Sequence, residues 1–335
     1  MSQKHYTIPV FIPELACPNR CVFCNQQKIS GHLLIPEEAE IVAQIETYLA
    51  GFPSGAHIEI GFFGGSFTGV PVNEQEHFLS IAQPYLKNGQ IYGIRVSTRP
   101  DYISETRLDL LKAYGVTTIE LGAQSLDEEV LIKSKRGHSI ADVEKAASLI
   151  ISYGFSLGLQ MMTGLPGDTL EKTLMTAHRI VELGADNTRI YPTLVIKNTE
   201  LEELYLSGRY QPLTIDEAVF RVKQIIPIFE EANITILRIG LHPSEGLLNG
   251  DDLVAGPFHP SFRELAETAL WGDLFNNLSI SDSSDVLEIV VPVGQRNMAI
   301  GYNAINRKQL ELTHKKVSFL QDPALINHQF KFRCF

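Results

Sequence analysis

Three cysteines stand close together in the run Cys17-Pro-Asn-Arg-Cys21-Val-Phe-Cys24, a C-x3-C-x2-C spacing. Thiols packed this tightly in one loop do not make a disulfide framework; they point to metal or redox chemistry. Three thiolates can ligate three irons of a [4Fe–4S] cube and leave the fourth iron open to another ligand. With His32 or Cys334 as a fourth ligand the same residues suit tetrahedral zinc. Cys21 and Cys24 alone would make a C-x2-C redox pair. Residue types and spacing by themselves leave these three chemistries open.

A loop of this kind needs rigid elements to aim it. Short runs rich in Ile, Leu, Val and Phe predict strands over Thr7–Ile12, His57–Phe63, Tyr92–Ser97, Thr117–Gly122, Ser156–Met162, Asn187–Tyr191 and Ile234–Ile239. Amphipathic stretches between them predict helices over Pro36–Leu49, Asn73–Leu86, Ser104–Tyr114, Ile140–Tyr153, Leu170–Leu183 and Ile215–Glu231. Strand and helix in alternation imply a parallel sheet with crossover helices, here a full or partial (β/α) TIM-type barrel over residues 1–240. In such a fold chemistry sits at the C-terminal ends of the strands, and the cysteine run follows the first of them. The pattern weakens after Gly240. A loop-like stretch to Pro260, a helix over Ser261–Trp271, a strand over Val286–Val291, a helix within Gln295–Leu312 and a strand over Gln329–Phe335 predict a small α+β appendage over residues 241–335.

The chain has 335 residues, 44% of them hydrophobic, enough to build a core without disulfides. It contains no apolar run long enough to span a membrane and no signal-peptide pattern at its start, which predicts a cytoplasmic protein. A formal charge of −11 argues against nonspecific polyanion binding.

Beyond the cysteines, a series of motifs resembles the Elp3-like branch of the radical S-adenosylmethionine (radical SAM) superfamily. The segment Phe11–Asn25 carries the likeness, as do Gly64-Gly-Ser-Phe-Thr68, Ser97-Thr-Arg-Pro-Asp101, Glu120-Leu-Gly-Ala-Gln-Ser125 and Lys135-Arg-Gly-His138. Gln160-Met-Met-Thr-Gly-Leu-Pro-Gly167 and the run Arg189–Thr199 extend it. The Gln-Ser, Arg-x-His and Gly-Leu-Pro-Gly pieces are also similar to the coproporphyrinogen dehydrogenase-like branch. The resemblance implies an enzyme in which Cys17, Cys21 and Cys24 hold a [4Fe–4S] cluster. S-adenosylmethionine would bind the open iron and be cleaved reductively to a 5′-deoxyadenosyl radical that abstracts hydrogen from a substrate. Phe23 would lie by the adenine, and Gly64 and Gly65 would offer bare backbone to the methionine amino group. Gln124 would face the ribose and Arg136 the methionine carboxylate, for which a planar guanidinium is suited. Gln160 stands where the coproporphyrinogen branch carries Asp, and Ser66 where the family often has Glu. An electron donor such as flavodoxin or ferredoxin is implied as partner.

On the substrate side the candidates are Tyr191 and His242, with Arg99 and Lys197 also following strands; Cys334 could donate a hydrogen atom to a radical. No second cysteine cluster accompanies the first, which disfavours enzymes with an auxiliary cluster. Full-length Elp3 proteins resemble a radical SAM domain joined to an acetyltransferase domain. Only about 95 residues follow the barrel here, and the basic N-terminal extension is not seen. The leading expectation is therefore a stand-alone radical SAM enzyme with an unidentified substrate. A tRNA-modifying enzyme acting on wobble uridine, alone or with a partner, is the second. A non-catalytic iron–sulfur or zinc protein is the third.

Overall fold

The computed structural model describes residues 5–12, 21–25, 35–277 and 285–335. Cys17 and His32 lie outside them. The strands of the main sheet are β1 (His5–Phe11), β2 (His57–Phe63), β3 (Gly93–Thr98), β4 (Val116–Gln124), β5 (Ser156–Thr163) and β6 (Asn187–Pro192). A short β7 (Val195–Ile196) leaves this sheet, which β8 (Thr235–Ile239) completes. All seven are parallel, in the order β1-β2-β3-β4-β5-β6-β8. Between them run α1 (Glu38–Gly51), α2 (Val72–Lys87), α3 (Glu105–Ala113), α4 (Glu128–Lys133), α5 (Ile140–Ser152), α6 (Leu170–Glu182), α7 (Glu200–Leu206) and α8 (Ile215–Glu231). The sheet curls into a partial barrel, and among the described residues β1 and β8 do not pair.

Strand alternation divides the work between the two faces. Ile8, Ile60, Ile94, Ile119, Leu157, Leu159 and Ile190 are fully buried in one core with the helix residues Ile41, Leu79, Leu108, Val143, Ile180 and Val222. The intervening Glu59, Arg95, Glu120 and Arg189 meet one another on the other, concave face. Helix starts follow local chemistry: α5 opens with a Ser139/Asp142 capping box and α8 with a Thr214/Glu217 one.

After β8 come α9 (Glu245–Leu248) and β9 (Leu253–Ala255), where the sequence predicts only loop; β9 pairs antiparallel with β7. α10 (Phe262–Asn276) runs longer than the predicted helix and serves two cores. Its Phe262, Ala266 and Leu270 join the barrel core, while Trp271 and Phe275 join a second one. That second core lies under β10 (Val286–Pro292), flanked by parallel β11 (Lys316–Asp322) and antiparallel β12 (Lys331–Cys334). The short helices α11 (Arg296–Ile300) and α12 (Ile305–Leu310) link β10 to β11. β11 has no counterpart in the sequence prediction. No helix among the described residues is long and apolar enough to cross a membrane.

Candidate functional site

The cysteine loop is pinned by backbone and by packing. Val22 N–H donates to the Ser134 carbonyl at 3.1 Å, and Leu201 N–H donates to the Val22 carbonyl at 2.7 Å. Cys21, Val22 and Phe23 are buried in a cluster with Val130, Leu165, Leu201 and Tyr210. The loop is thereby fixed between the end of α4 and the start of α7. Arg136, itself buried, reaches it: Nη1 donates to Cys21 Sγ at 3.1 Å and Nη2 to the Gly122 carbonyl at 2.5 Å. Its guanidinium also lies 5.9 Å from the centre of the Phe23 ring. Among the described residues no three Cys, His, Asp or Glu side chains converge on one metal position, and Cys17 is not among those residues.

The turns after β2 and β4 lie against this group. Gly64 has φ +115°, and a Cβ there would sit 2.5 Å from the Ile12 carbonyl oxygen. Gly65 and Ser66 line a small cavity with Ile12, Phe63 and Ser97. Ser66 Oγ bonds Thr98 Oγ1 at 3.0 Å and accepts from the Arg99 N–H at 2.9 Å, so it braces the end of β3. Arg99 pairs with Asp101 and donates to the Arg136 carbonyl at 2.7 Å. At the end of β4, Gln124 has φ 67°, and its buried Oε1 has no hydrogen-bond partner. A Cβ on Gly122 would lie 3.0 Å from Gln124 Nε2 and 3.3 Å from Arg136 Nη2. The amide and the guanidinium thus flank bare backbone. Arg136 Nε is likewise buried without a partner. Burial, then the Arg136 and Arg99 charges, pull His138 down to about 4, so its ring is neutral. Unpaired buried polar groups cost about 1–3 kcal/mol each, and a pair in one place marks a cradle shaped for a polar ligand.

A second group crosses the concave face. Arg95 joins Glu59 and Glu120, each at 2.7 Å, and Arg189 joins Glu120 at 2.7 Å. His5 adds to Glu59 at 2.7 Å. Burial alone would raise Glu120, but Arg189 and Arg95 hold it down at about 2. Burial likewise opposes the charge of Glu59, which His5, Arg95 and Thr118 keep well below the usual carboxylate range. Gln160 belongs here, donating to Glu120 at 2.9 Å and Ser97 at 3.2 Å. The Arg189 guanidinium lies 5.1 Å from the centre of the Phe63 ring. Burial raises the nearby Tyr191 hydroxyl. His242 Nδ1 lies 3.3 Å from Arg238 Nη2.

The structure therefore brings Cys21, Phe23, Gln124 and Arg136 together, with the Gly64-Gly65 turn joined to them through Ser66 and Arg99. It puts Gln160 and Tyr191 with the ionic group and His242 beside Arg238. Lys197 sits on the β7–β9 pair, its N–H donating to Asp252. Cys334 lies on β12 opposite Leu287. Sequence reasoning missed Glu59 and Arg95 and gave no role to Glu120 and Arg189, although a charge in the middle of each apolar strand run was a visible signal. It also missed Gly122.

Comparison with known proteins adds the following. The signature of the radical SAM superfamily matches residues 12–180, and that of the radical SAM C-terminal domain matches residues 185–271. A tRNA uridine(34) acetyltransferase of Dehalococcoides mccartyi is 26% identical over 258 residues, 66% of this chain and 56% of that protein. Elongator complex protein 3 of Saccharomyces cerevisiae is 31% identical over 191 residues, 51% of this chain and 34% of that protein. The chain thus spans only part of these relatives. Among solved structures, an archaeal Methanocaldococcus infernus Elp3 with an N-terminal deletion aligns with a TM-score of 0.65 and 22% identity, covering 81% of this chain and 63% of that one. That likeness is one of fold.

Proposed function

The chain belongs to the radical SAM superfamily and is a radical SAM enzyme, and we propose that Cys17, Cys21 and Cys24 hold its [4Fe–4S] cluster beside a cradle for S-adenosylmethionine. When bound, the pair supplies reductive cleavage to a 5′-deoxyadenosyl radical, which takes a hydrogen atom from substrate. The observation that carries this reading is the joining of Cys21 to Arg136, Gly122 and the orphaned Gln124 amide. The residues present fit the group. At Gly64 a side chain would clash with the Ile12 carbonyl, so the turn that carries Gly64 and Gly65 needs glycine at its first position. Gln124 keeps an acceptor free for a hydroxyl, Phe23 offers a ring face, and Arg136 keeps Nε for a carboxylate. The concave face with Phe63, Arg189 and Tyr191 is the substrate side. A flavodoxin or ferredoxin would deliver the electron.

The test is anaerobic reconstitution followed by reduction with S-adenosylmethionine present. 5′-Deoxyadenosine should form; iron-loaded protein that yields none would overturn the reading. A second reading, that the substrate is tRNA, draws support from the name of the Dehalococcoides mccartyi relative. Incubation with tRNA, S-adenosylmethionine and acetyl-coenzyme A, followed by mass spectrometry of the nucleosides, tests it: a newly modified uridine favours this reading, and its absence favours a smaller substrate.

A further inference from the structure

At the open edge of the partial barrel, a cleft of about 230 Å³ lies between the C-terminal end of β8 and the start of α10. Its lining includes Arg238, Gly240, His259, Phe262 and Arg263, with no Asp or Glu among the lining residues. Ligands of parallel α/β sheets collect outside the carboxyl ends of the strands. In a chain of net charge −11, a cleft whose charged lining is wholly basic is a local departure.

The two guanidinium groups are incompletely matched. Arg238 donates Nε to the Gly240 carbonyl at 2.9 Å and Nη2 to the Leu241 carbonyl at 3.2 Å, and has no carboxylate partner. Those carbonyls hold its plane in place, Nη2 also lies 3.3 Å from His242 Nδ1, and Nη1 stands outside these contacts. Arg263 touches Glu267 at 3.3 Å, but Glu267 also accepts from His328 at 2.8 Å, so one carboxylate serves two cations. At the start of the fifteen-residue α10, Ser261 makes no side-chain cap, the Phe262 N–H donates to the His259 carbonyl at 3.0 Å, and Glu264 stands in the first turn. His259 Nδ1 accepts from the Ser261 N–H, which leaves Nε2 as the ring's other polar atom. A guanidinium held in place by backbone, with a second Arg beside it in one cleft, forms the chemistry of an oxyanion receptor.

We propose that this cleft binds a phosphoryl group of the substrate, with Arg238 as its principal ligand and Arg263 as its second. The proposal rests on the reading of the concave face as the substrate side. A phosphoryl group fits better than a carboxylate because its several acceptor oxygens can meet Arg238 and Arg263 together. The group could belong to a free phosphorylated metabolite or to an RNA backbone.

The experiment is calorimetric titration of the full reconstituted chain at low salt with inorganic phosphate, with acetate as control, and then with uridine monophosphate and a short RNA stem-loop. Phosphate should bind at one saturable site, more tightly than acetate. Arg238→Gln should weaken it at least about tenfold, the loss of one charge-assisted contact. Arg263→Gln, an exposed and structurally mild change, should weaken it in the same direction. Arg238→Lys, which keeps the charge but loses the fork, should fall between. If the source is a metabolite, the monophosphate follows the same order and the stem-loop does not. If it is RNA, the stem-loop weakens and its salt slope shrinks by about one contact. Phosphate that fails to bind the wild-type chain, or binds both Gln variants unchanged, overturns the site. Binding is read without reductant or S-adenosylmethionine, so it can fail while cofactor cleavage succeeds, and the reverse.

Discussion

Arg136 spends its guanidinium on Cys21 and on the floor of the neighbouring turn: Nη1 lies 3.1 Å from Cys21 Sγ and Nη2 lies 2.5 Å from the Gly122 carbonyl oxygen. The sequence resemblance assigns this arginine to a cofactor carboxylate. The structure adds a second contact, a donor to the sulfur of Cys21, a proposed cluster ligand, and donors to cluster sulfurs help set reduction potential. Removing a positive donor destabilises the reduced, more negative cluster. Arg136→Ala should therefore take up iron and sulfide normally but show a lower potential, by roughly tens of millivolts, given that about 59 mV is a tenfold change for one electron. Redox titration followed by electron paramagnetic resonance checks this; an unchanged potential would remove Arg136 from the thiolate.

Cluster content should depend on the cysteine run alone. Cys17→Ala, Cys21→Ala and Cys24→Ala should each abolish uptake of iron and sulfide under anaerobic conditions. Cys334→Ala should leave iron content unchanged, because Cys334 sits on the small sheet, packed against the core of Trp271 and Phe275. Stoichiometric zinc in place of iron in anaerobically prepared protein would contradict this expectation.

Much of the architecture was readable because buried parallel strands announce themselves as short apolar runs between turn residues. Ile8, Ile60, Ile94, Leu121 and Leu157 mark the barrel strands in that way. Gln124 and Arg136 were readable through motif, with no physical signal in their own neighbourhoods. Elements held only by tertiary contact were not readable. β7 and β9 are two and three residues long and exist because they pair with each other. β11 is an edge strand whose polar positions dilute the apolar pattern. The ionic group was written in the strands but hidden by its partners: Arg95 meets carboxylates 36 residues before it and 25 after it, and no local rule joins these.

That ionic group should be costly to break from one side. Glu120 sits between Arg95 and Arg189, is almost wholly buried, and also accepts from Gln160. Glu120→Gln would keep the shape but leave Arg189, which is mostly covered, without its carboxylate and Arg95, which is buried, with Glu59 alone. Loss of about 3 kcal/mol or more is expected, the usual scale for removing one partner of a buried pair. Urea unfolding of the variant should show it. A loss below about 1 kcal/mol would mean that water already screens the concave face.

The last expectation concerns His328, which ties the small sheet region to the barrel. Its Nδ1 meets Glu230 of α8 and its Nε2 meets Glu267 of α10, both at 2.8 Å, with the Trp271 ring tilted against it at 5.0 Å between centres. Burial opposes the imidazolium, yet hydrogen bonds to Glu230 and Glu267 raise His328 to about 9. The unfolded value is about 6.5. A folded value above the unfolded one stabilises the fold fully below about pH 6.5, and that contribution is lost as pH rises through about 9. The full span is on the order of 3 kcal/mol. Wild-type stability should therefore decline between neutral and alkaline pH, and His328→Gln should be less stable at pH 6 with a flatter slope above it. Trp271 is the single tryptophan of the chain, so its fluorescence reports unfolding from beside the tie itself. Equal slopes in wild type and variant between pH 6.5 and 9 would show that the His328 pair is not the source of the pH dependence.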